Sequence, residues 1–382
     1  MKISDERYKT IGILTFWTTT SNYGQVLQAY ALCRVLSKRG HHPYLIRYLP
    51  CNATGIKLIL KKIINRFIQC GKSWQWWNRN SREYKFNSFR KQYFSFSRKL
   101  YHSYSELQND PPRADIYICG SDQIWNINAF SRNNCPWFLD FGLKSTKRIA
   151  FAASFGKEQL SAESIRFIKP LMASLDKISV REMNAVELCR ECGRNDAVHV
   201  LDPTLLLSGA DYQQLLVNVK QPFAGKFFLG YFLNIENRDE VHYESLTQLS
   251  LHQGAALKII AGDHAKTLFP AGICLHPGIE EWLKLFTQAE GIFTSSFHGA
   301  VFAIQLKRPF LVFPLRGRYS PMNCRVESLL SDLGLSDRIC ASTATAETIH
   351  EQLNRNIDWA CVEGRLAELQ RKTFAFLEEC GC

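Results

Sequence analysis

No run of about 18 or more apolar residues occurs in this 382-residue chain, which excludes a helix built to span a bilayer. The N-terminal MKISDERYKT is charged where a secretory signal needs an apolar stretch, so the expectation is a protein made and kept in the cytoplasm. A disulfide framework is also missing. The 13 cysteines are an odd number scattered along the chain, which fits free thiols in a reducing compartment. Only Cys189-x-x-Cys192 has metal-like spacing; no second ligand pair stands at conventional spacing nearby, so it reads as a helix end and not a zinc site. No internal repeat, low-complexity tract or His/Asp/Glu cluster suggestive of a metal is seen. The remaining composition, 46% hydrophobic and 21% charged, is that of a globular protein with large cores, and the length predicts two to three domains.

Acid is nearly absent from residues 56 to 100, where Glu83 stands alone against twelve lysines and arginines. The rest of the chain carries 35 basic and 34 acidic residues, so a neutral body bears one basic insert. Within it Ile56, Ile59, Leu60, Ile63, Ile64, Phe67 and Ile68 repeat at helical spacing, with Lys57, Lys61, Lys62 and Arg66 on the other side. Trp74, Trp76 and Trp77 follow, residues enriched at membrane interfaces. A basic amphipathic helix of this kind suits an anionic membrane surface, or a helix packed on its own domain with a solvated basic face. Nucleic acid is disfavoured because no recognisable binding motif accompanies the charge.

Short apolar runs alternate with helical stretches. Strands are expected at Ile11 to Phe16, Tyr44 to Tyr48, Asp115 to Cys119, Arg148 to Ser154, Lys177 to Val180 and Val198 to Leu201, with a helix from Gln25 to Arg39. A second series follows at Phe227 to Phe232, Leu257 to Ile260, Gly291 to Thr294 and Phe310 to Phe313, with a helix from Glu280 to Ala289. Alternation implies parallel sheets, and two series imply two Rossmann-like domains with a ligand cleft between them. The expected organisation is an N-terminal domain over 1–210 carrying the insert 56–100, a C-terminal domain over 211–360, and a terminal helix over 361–382.

The polar residues that end these strands are the candidates for chemistry. Ser295, Ser296 and Gly299 surround His298 at a helix N-terminus, which offers backbone N–H groups and a positive dipole end to an anion. Imidazole changes charge near neutral pH, so His298 can donate a proton or pair with phosphate; it can equally be a capping or buried histidine. Arg181 ends an apolar strand and suits a carboxylate or phosphate, or an ion pair with Glu182. Asn22, Tyr23, Gly24, Ser121 and Asp122 occupy strand-end loops of the first domain and can bind sugar hydroxyls. Asp122 can act as a base there or cap its own helix.

Together these segments resemble the polysaccharide pyruvyl transferase family. The resemblance rests on Ser21-Asn22-Tyr23-Gly24 with Leu27-Gln28-Ala29-Tyr30, Gly120-Ser121-Asp122-Gln123-Ile124-Trp125-Asn126, Ser179-Val180-Arg181-Glu182, Leu201-Asp202-Pro203-Thr204 and Ser295-Ser296-Phe297-His298-Gly299, in that order over residues 11 to 335. It implies a GT-B-like fold and transfer of pyruvate from phosphoenolpyruvate, a co-substrate and not a bound cofactor, onto two hydroxyls of one sugar as a cyclic ketal. By position, His298 and Arg181 match the family's phosphoenolpyruvate-binding histidine and arginine, and Asn323 and Arg325 lie where some members place polar residues. The basic insert is outside the shared pattern.

The expected function is therefore ketal-forming pyruvyl transfer onto a lipid-linked precursor of a surface polysaccharide, such as an exopolysaccharide or capsule, at the inner face of the cytoplasmic membrane. Two alternatives stand beside it. A GT-B glycosyltransferase using a nucleotide sugar would need a ribose-binding acidic pattern, which is not seen. A non-catalytic glycan-binding protein on the same fold would have no need of both Arg181 and His298.

Overall fold

The computed structural model describes residues 8–50, 73–127, 132–221 and 223–382. Lys57, Lys61, Lys62 and Arg66 lie outside the described residues, as do the side chains of Trp74, Trp76 and Trp77. Apolar strands joined through helices pair in parallel, and two wholly parallel sheets result. The first contains β1 (Thr10–Leu14), β2 (His42–Tyr48), β3 (Phe96–Tyr101), β4 (Ile116–Cys119), β5 (Lys147–Ala153), β6 (Lys177–Val180) and β7 (Val198–His199), in the order β3-β2-β1-β4-β5-β6-β7. The second contains β8 (Phe227–Phe232), β9 (Ala256–Ala261), β10 (Gly291–Thr294) and β11 (Phe310–Val312), in the order β11-β10-β8-β9. Ile13 is in register with Leu45 and Ile118, and Thr294 with Tyr231 and Val312. Strand order reverses between β1 and β4 and again between β8 and β10. At such points successive crossovers diverge and open a crevice at the carboxyl ends of the strands.

The Tyr23–Lys38 helix is buried on nearly every side and not on one face alone. From Tyr23 to Leu36 only Gln25 and Arg34 escape burial. The reason is its position, between the first sheet and the Ile279–Gln288 and Phe297–Gln305 helices of the second series. One apolar cluster accordingly runs from Ile13 and Leu27 through Trp282 and Phe302 to Phe376. The terminal helix, Trp359–Glu379, crosses back to the first sheet, where Leu201 N donates to Thr373 Oγ1 (3.1 Å) and Lys147 Nζ donates to Cys380 O (2.9 Å). Among the described residues no helix is long and apolar enough to cross a membrane.

β3 and a Ser73–Tyr93 helix fall inside the basic insert, where no such elements are expected from the sequence. The helix buries Phe86 and Phe89 in the shared cluster and thereby lies across both series. Three of its cations have partners within the fold. Arg82 reaches Asp263 (2.7 Å), Lys85 reaches Glu281 (2.7 Å), and Arg90 donates to the carbonyls of Trp17 and Thr19. Through these contacts this part of the insert braces the two sheets, while Lys91, Arg98 and Lys99 remain exposed. Cys189 and Cys192 are free thiols packed in a separate apolar cluster, and burial pushes Cys192 up to about 11.

Candidate active site

Four strand ends converge. β6 delivers Arg181 and Glu182, the segment after β7 delivers Asp202, β4 leads into Gly120-Ser121-Asp122, and β10 leads through Ser295 and Ser296 into the helix that carries His298. Gly120 has φ 110°, and a Cβ there would lie 2.2 Å from the Phe151 carbonyl, so no side chain fits at that turn.

Asp202 is the hub. Its Oδ2 accepts from Ser121 Oγ (2.8 Å) and Arg181 Nη1 (2.9 Å), and His298 Nε2 lies 3.7 Å away. Its Oδ1 accepts from the backbone N–H and hydroxyl of Thr204, at 3.0 and 2.6 Å. Burial alone would push this carboxyl up. The His298 imidazole, the Arg181 guanidinium and the Thr204 hydroxyl outweigh it and hold Asp202 well below the usual carboxylate range. Arg181 is itself buried, which disfavours its charge, but Glu182, Asp202 and Asp122 overcome this and raise its pKa. Arg181 Nε donates to Glu182 Oε1 (3.1 Å), and the guanidinium sits 4.3 Å from the centre of the Phe297 ring. Two buried polar atoms at the hub have no hydrogen-bond partner among the described residues: Arg181 Nη2 and His298 Nε2.

Arg325, on the Cys324–Leu333 helix, is buried beside them, with Nε donating to Met322 O. Burial and the neighbouring Arg181 push it down to about 10, against Glu182 and Asp122, so it stays charged at neutral pH. Its terminal nitrogens face Gln123, whose amide oxygen, when turned toward them, accepts at 2.6 and 3.2 Å. Among the described residues this buried guanidinium is held by an amide and a carbonyl and by no carboxylate, which makes it a ready seat for an anion. The N-terminus of the Phe297–Gln305 helix adds another, because its cap Ser296 makes no side-chain capping bond.

The expected residues divide. Arg181, His298, Arg325 and Ser296 meet in this cluster, and Asp122 borders it, with Oδ2 accepting from Gln25 Nε2 (2.9 Å). Others have partners within the fold. Tyr23 is fully buried, donates to Pro277 O (2.8 Å) and stacks on Trp282, so its hydroxyl does not face a sugar. Ser121 donates to Ala152 O and Asp202, and Ser295 bridges both backbone groups of Leu233. Asn22 Oδ1 caps the Tyr23–Lys38 helix, and Asn323 ties both backbone groups of Leu315. Gly24 and Gly299 serve packing: a Cβ would lie 2.1 Å from His298 Cγ at the first and 2.1 Å from Thr294 Oγ1 at the second. Asp202 and Gln123 are site residues that stand within the sequence motifs without an assigned role, whereas Glu182 forms the ion pair with Arg181 that the sequence offered as the alternative to ligand binding. The signal available was an acid directly after a strand in Leu201-Asp202-Pro203-Thr204.

Residues 22–315 match the polysaccharide pyruvyl transferase family. No curated protein is significantly similar in sequence. Among solved structures, the chain is similar to UDP-GlcNAc 2-epimerase from Methanocaldococcus jannaschii, with TM-score 0.53 and 12% identity over 97% of this chain and 99% of that one. It is similar to the N-terminal domain of Candida albicans trehalose-6-phosphate phosphatase, with TM-score 0.53 and 10% identity over 99% and 97%. UDP-N-acetylglucosamine 2-epimerase from Rickettsia bellii gives TM-score 0.51 and 10% identity over 97% and 96%. At such identities the likeness speaks for the fold alone, two Rossmann-like domains in a GT-B-like arrangement.

Proposed function

The chain belongs to the polysaccharide pyruvyl transferase family, and from that premise we propose that it transfers the pyruvyl group of phosphoenolpyruvate to two hydroxyls of one sugar in a surface-polysaccharide precursor. The observation that carries this reading is the buried group of Arg181, His298 and Arg325, where Arg181 Nη2 and His298 Nε2 have no partner among the described residues and the Arg325 guanidinium and a helix N-terminus lie beside them. A donor with both a carboxylate and a phosphate needs cationic contacts at two points.

The chemistry follows from those groups. Protonation of the donor's C3 methylene, with His298 as the acid, makes C2 electrophilic, and the first sugar hydroxyl adds there and loses its proton. Phosphate then leaves with its bonding electron pair, and the second hydroxyl adds to the same carbon, losing its proton and closing the ketal. Asp122, beside Arg181 and Arg325, is the proposed base for a hydroxyl. An acceptor carried on a lipid would bring the enzyme to the inner face of the membrane, with residues 56–77 as the contact. Flotation with anionic liposomes tests that point, and equal binding to neutral ones would refute it.

The decisive experiment supplies phosphoenolpyruvate and a glycan acceptor and follows inorganic phosphate and product mass. Phosphate release that requires a vicinal or 1,3-related diol, and that falls at least ~10²-fold in His298→Ala, is expected. Consumption of a nucleotide sugar, with no affinity for phosphoenolpyruvate by calorimetry, would overturn the reading in favour of glycosyl transfer.

A further inference from the structure

We propose that Asp202 is a positioning residue: its Oδ2 holds Arg181 of the first domain and His298 of the second in one register, so that contact between the domains assembles the donor site. The inference takes its substrate from the pyruvyl transfer reading, whereas the geometry stands without it.

Asp202 cannot itself serve substrate. Oδ1 is filled by the two Thr204 donors, Oδ2 by Ser121 and Arg181, and the residue is 1% exposed. It therefore acts through what it holds. With Nε on Glu182 and Nη1 on Asp202, the Arg181 guanidinium has one free direction, Nη2. His298 is constrained from the other side. The Gly24 backbone covers the Cγ and Nδ1 edge, where a Cβ would come within 2.2 Å of Nδ1, so Nε2 is the nitrogen left facing Asp202. At 3.7 Å that contact is too long for a hydrogen bond and acts through charge. A short segment, Asp202 to Thr204, thus sets both groups, and it is fixed by its own turn and not by substrate.

The charges around the imidazole give the expected sign. Asp202, Arg181, Glu182 and Asp122 face this region from the first domain and Arg325 from the second; the adjoining start of the Tyr23–Lys38 helix carries no charge. Removing the Asp202 charge leaves the imidazolium facing cations with its closest anion gone. Ser121 is a neutral donor on the same oxygen, so its removal frees that oxygen for His298.

The test is an NMR pH titration of histidine-labelled enzyme, with the His298 resonance assigned from His298→Gln, alongside the transfer assay and thermal melting. In Asp202→Asn the His298 midpoint is expected to fall by about 1 pH unit or more, and in Ser121→Ala to rise by a few tenths. Turnover of Asp202→Asn at saturating donor should drop on the order of 10²-fold, with the basic limb of kcat/KM moved to lower pH. A folded Asp202→Asn with an unmoved midpoint, or a fall in Ser121→Ala, overturns the proposal. If Asp202→Asn does not fold, Ser121→Ala and Thr204→Val decide, both expected to raise the midpoint because each removes a hydroxyl donor from the Asp202 carboxylate. Shifts of the expected sign with no pyruvyl transfer by the wild type would support the positioning role and refute the proposed reaction.

Discussion

Replacing Gly24 by alanine adds one methyl where the Tyr23–Lys38 helix touches His298. The new Cβ would lie 2.1 Å from Cγ, 2.2 Å from Nδ1 and 2.4 Å from Cβ of the histidine. Carbon atoms in contact normally stand about 3.5–4.0 Å apart, so more than an ångström of separation must be found. Turning the ring cannot supply it, because the histidine Cβ is itself among the clashing atoms. The start of the Phe297–Gln305 helix has to retreat, which carries Nε2 away from Asp202 and the donor site. Overpacking of this kind costs about 1–3 kcal/mol, and the better helix propensity of alanine returns about 1 kcal/mol, for a net loss of roughly 0–2 kcal/mol. If the histidine is the acid, misplacing it costs about 10²–10⁴ in rate, equivalent to about 3–5 kcal/mol. Urea denaturation and phosphate release measured on the same preparation should therefore diverge, with activity lost out of proportion to stability. In Gly24→Ala/His298→Ala the two ring contacts are gone but the Cβ contact at 2.4 Å remains, so the stability cost should shrink only in part, a coupling that a double-mutant cycle measures. Wild-type turnover in Gly24→Ala would refute the placement of His298 on which the reasoning depends.

Three further outcomes are expected. The Arg82–Asp263 pair joins a guanidinium that is 2% exposed to a carboxylate that is 40% exposed and also held by Lys266, so Asp263→Asn should destabilise more, by about 2–3 kcal/mol, than Arg82→Met, at about 1–2 kcal/mol, in urea titrations. The reverse order would show that the bracing does not depend on that ion pair. His276 is pushed down to about 4 by burial and by Arg82 and Lys266. Its folded pKa lies below the unfolded one, so its contribution is complete above about pH 6.5 and is lost as pH falls toward 4. After allowance for solvent screening this is about 1–2 kcal/mol, read as the difference between wild type and His276→Gln at pH 7 and at pH 4.5. Arg325→Met should weaken phosphoenolpyruvate binding about 10–100-fold by calorimetry, the range of a charge-assisted contact, without a change in melting as large as that of Asp263→Asn. Unchanged donor affinity would place Arg325 outside the donor site.

What could be read from the sequence follows from where each burial originates. β6, β8 and β10 begin and end where the apolar runs do, because strands of a parallel sheet covered on both faces need no alternation. The Ser73–Tyr93 helix is different: Phe86 and Phe89 are diluted by lysine and arginine, and their burial comes from a partner domain about 200 residues away, which no local period encodes. The site follows the same logic. Arg181 and His298 stand out because a charged or titratable group ends an apolar strand or opens the next helix. Tyr23 and Ser295 show the same pattern, yet their hydroxyls are bound to Pro277, 254 positions on, and Leu233, 62 positions back. A polar residue at a strand end can serve the fold or a ligand, and local sequence treats the two alike. They separate only when every donor and acceptor is assigned, since a buried group whose valences are all filled has nothing left to offer. By that criterion Arg181 keeps Nη2 and His298 keeps Nε2, whereas Asp202, filled on both oxygens, can reach the reaction only through them.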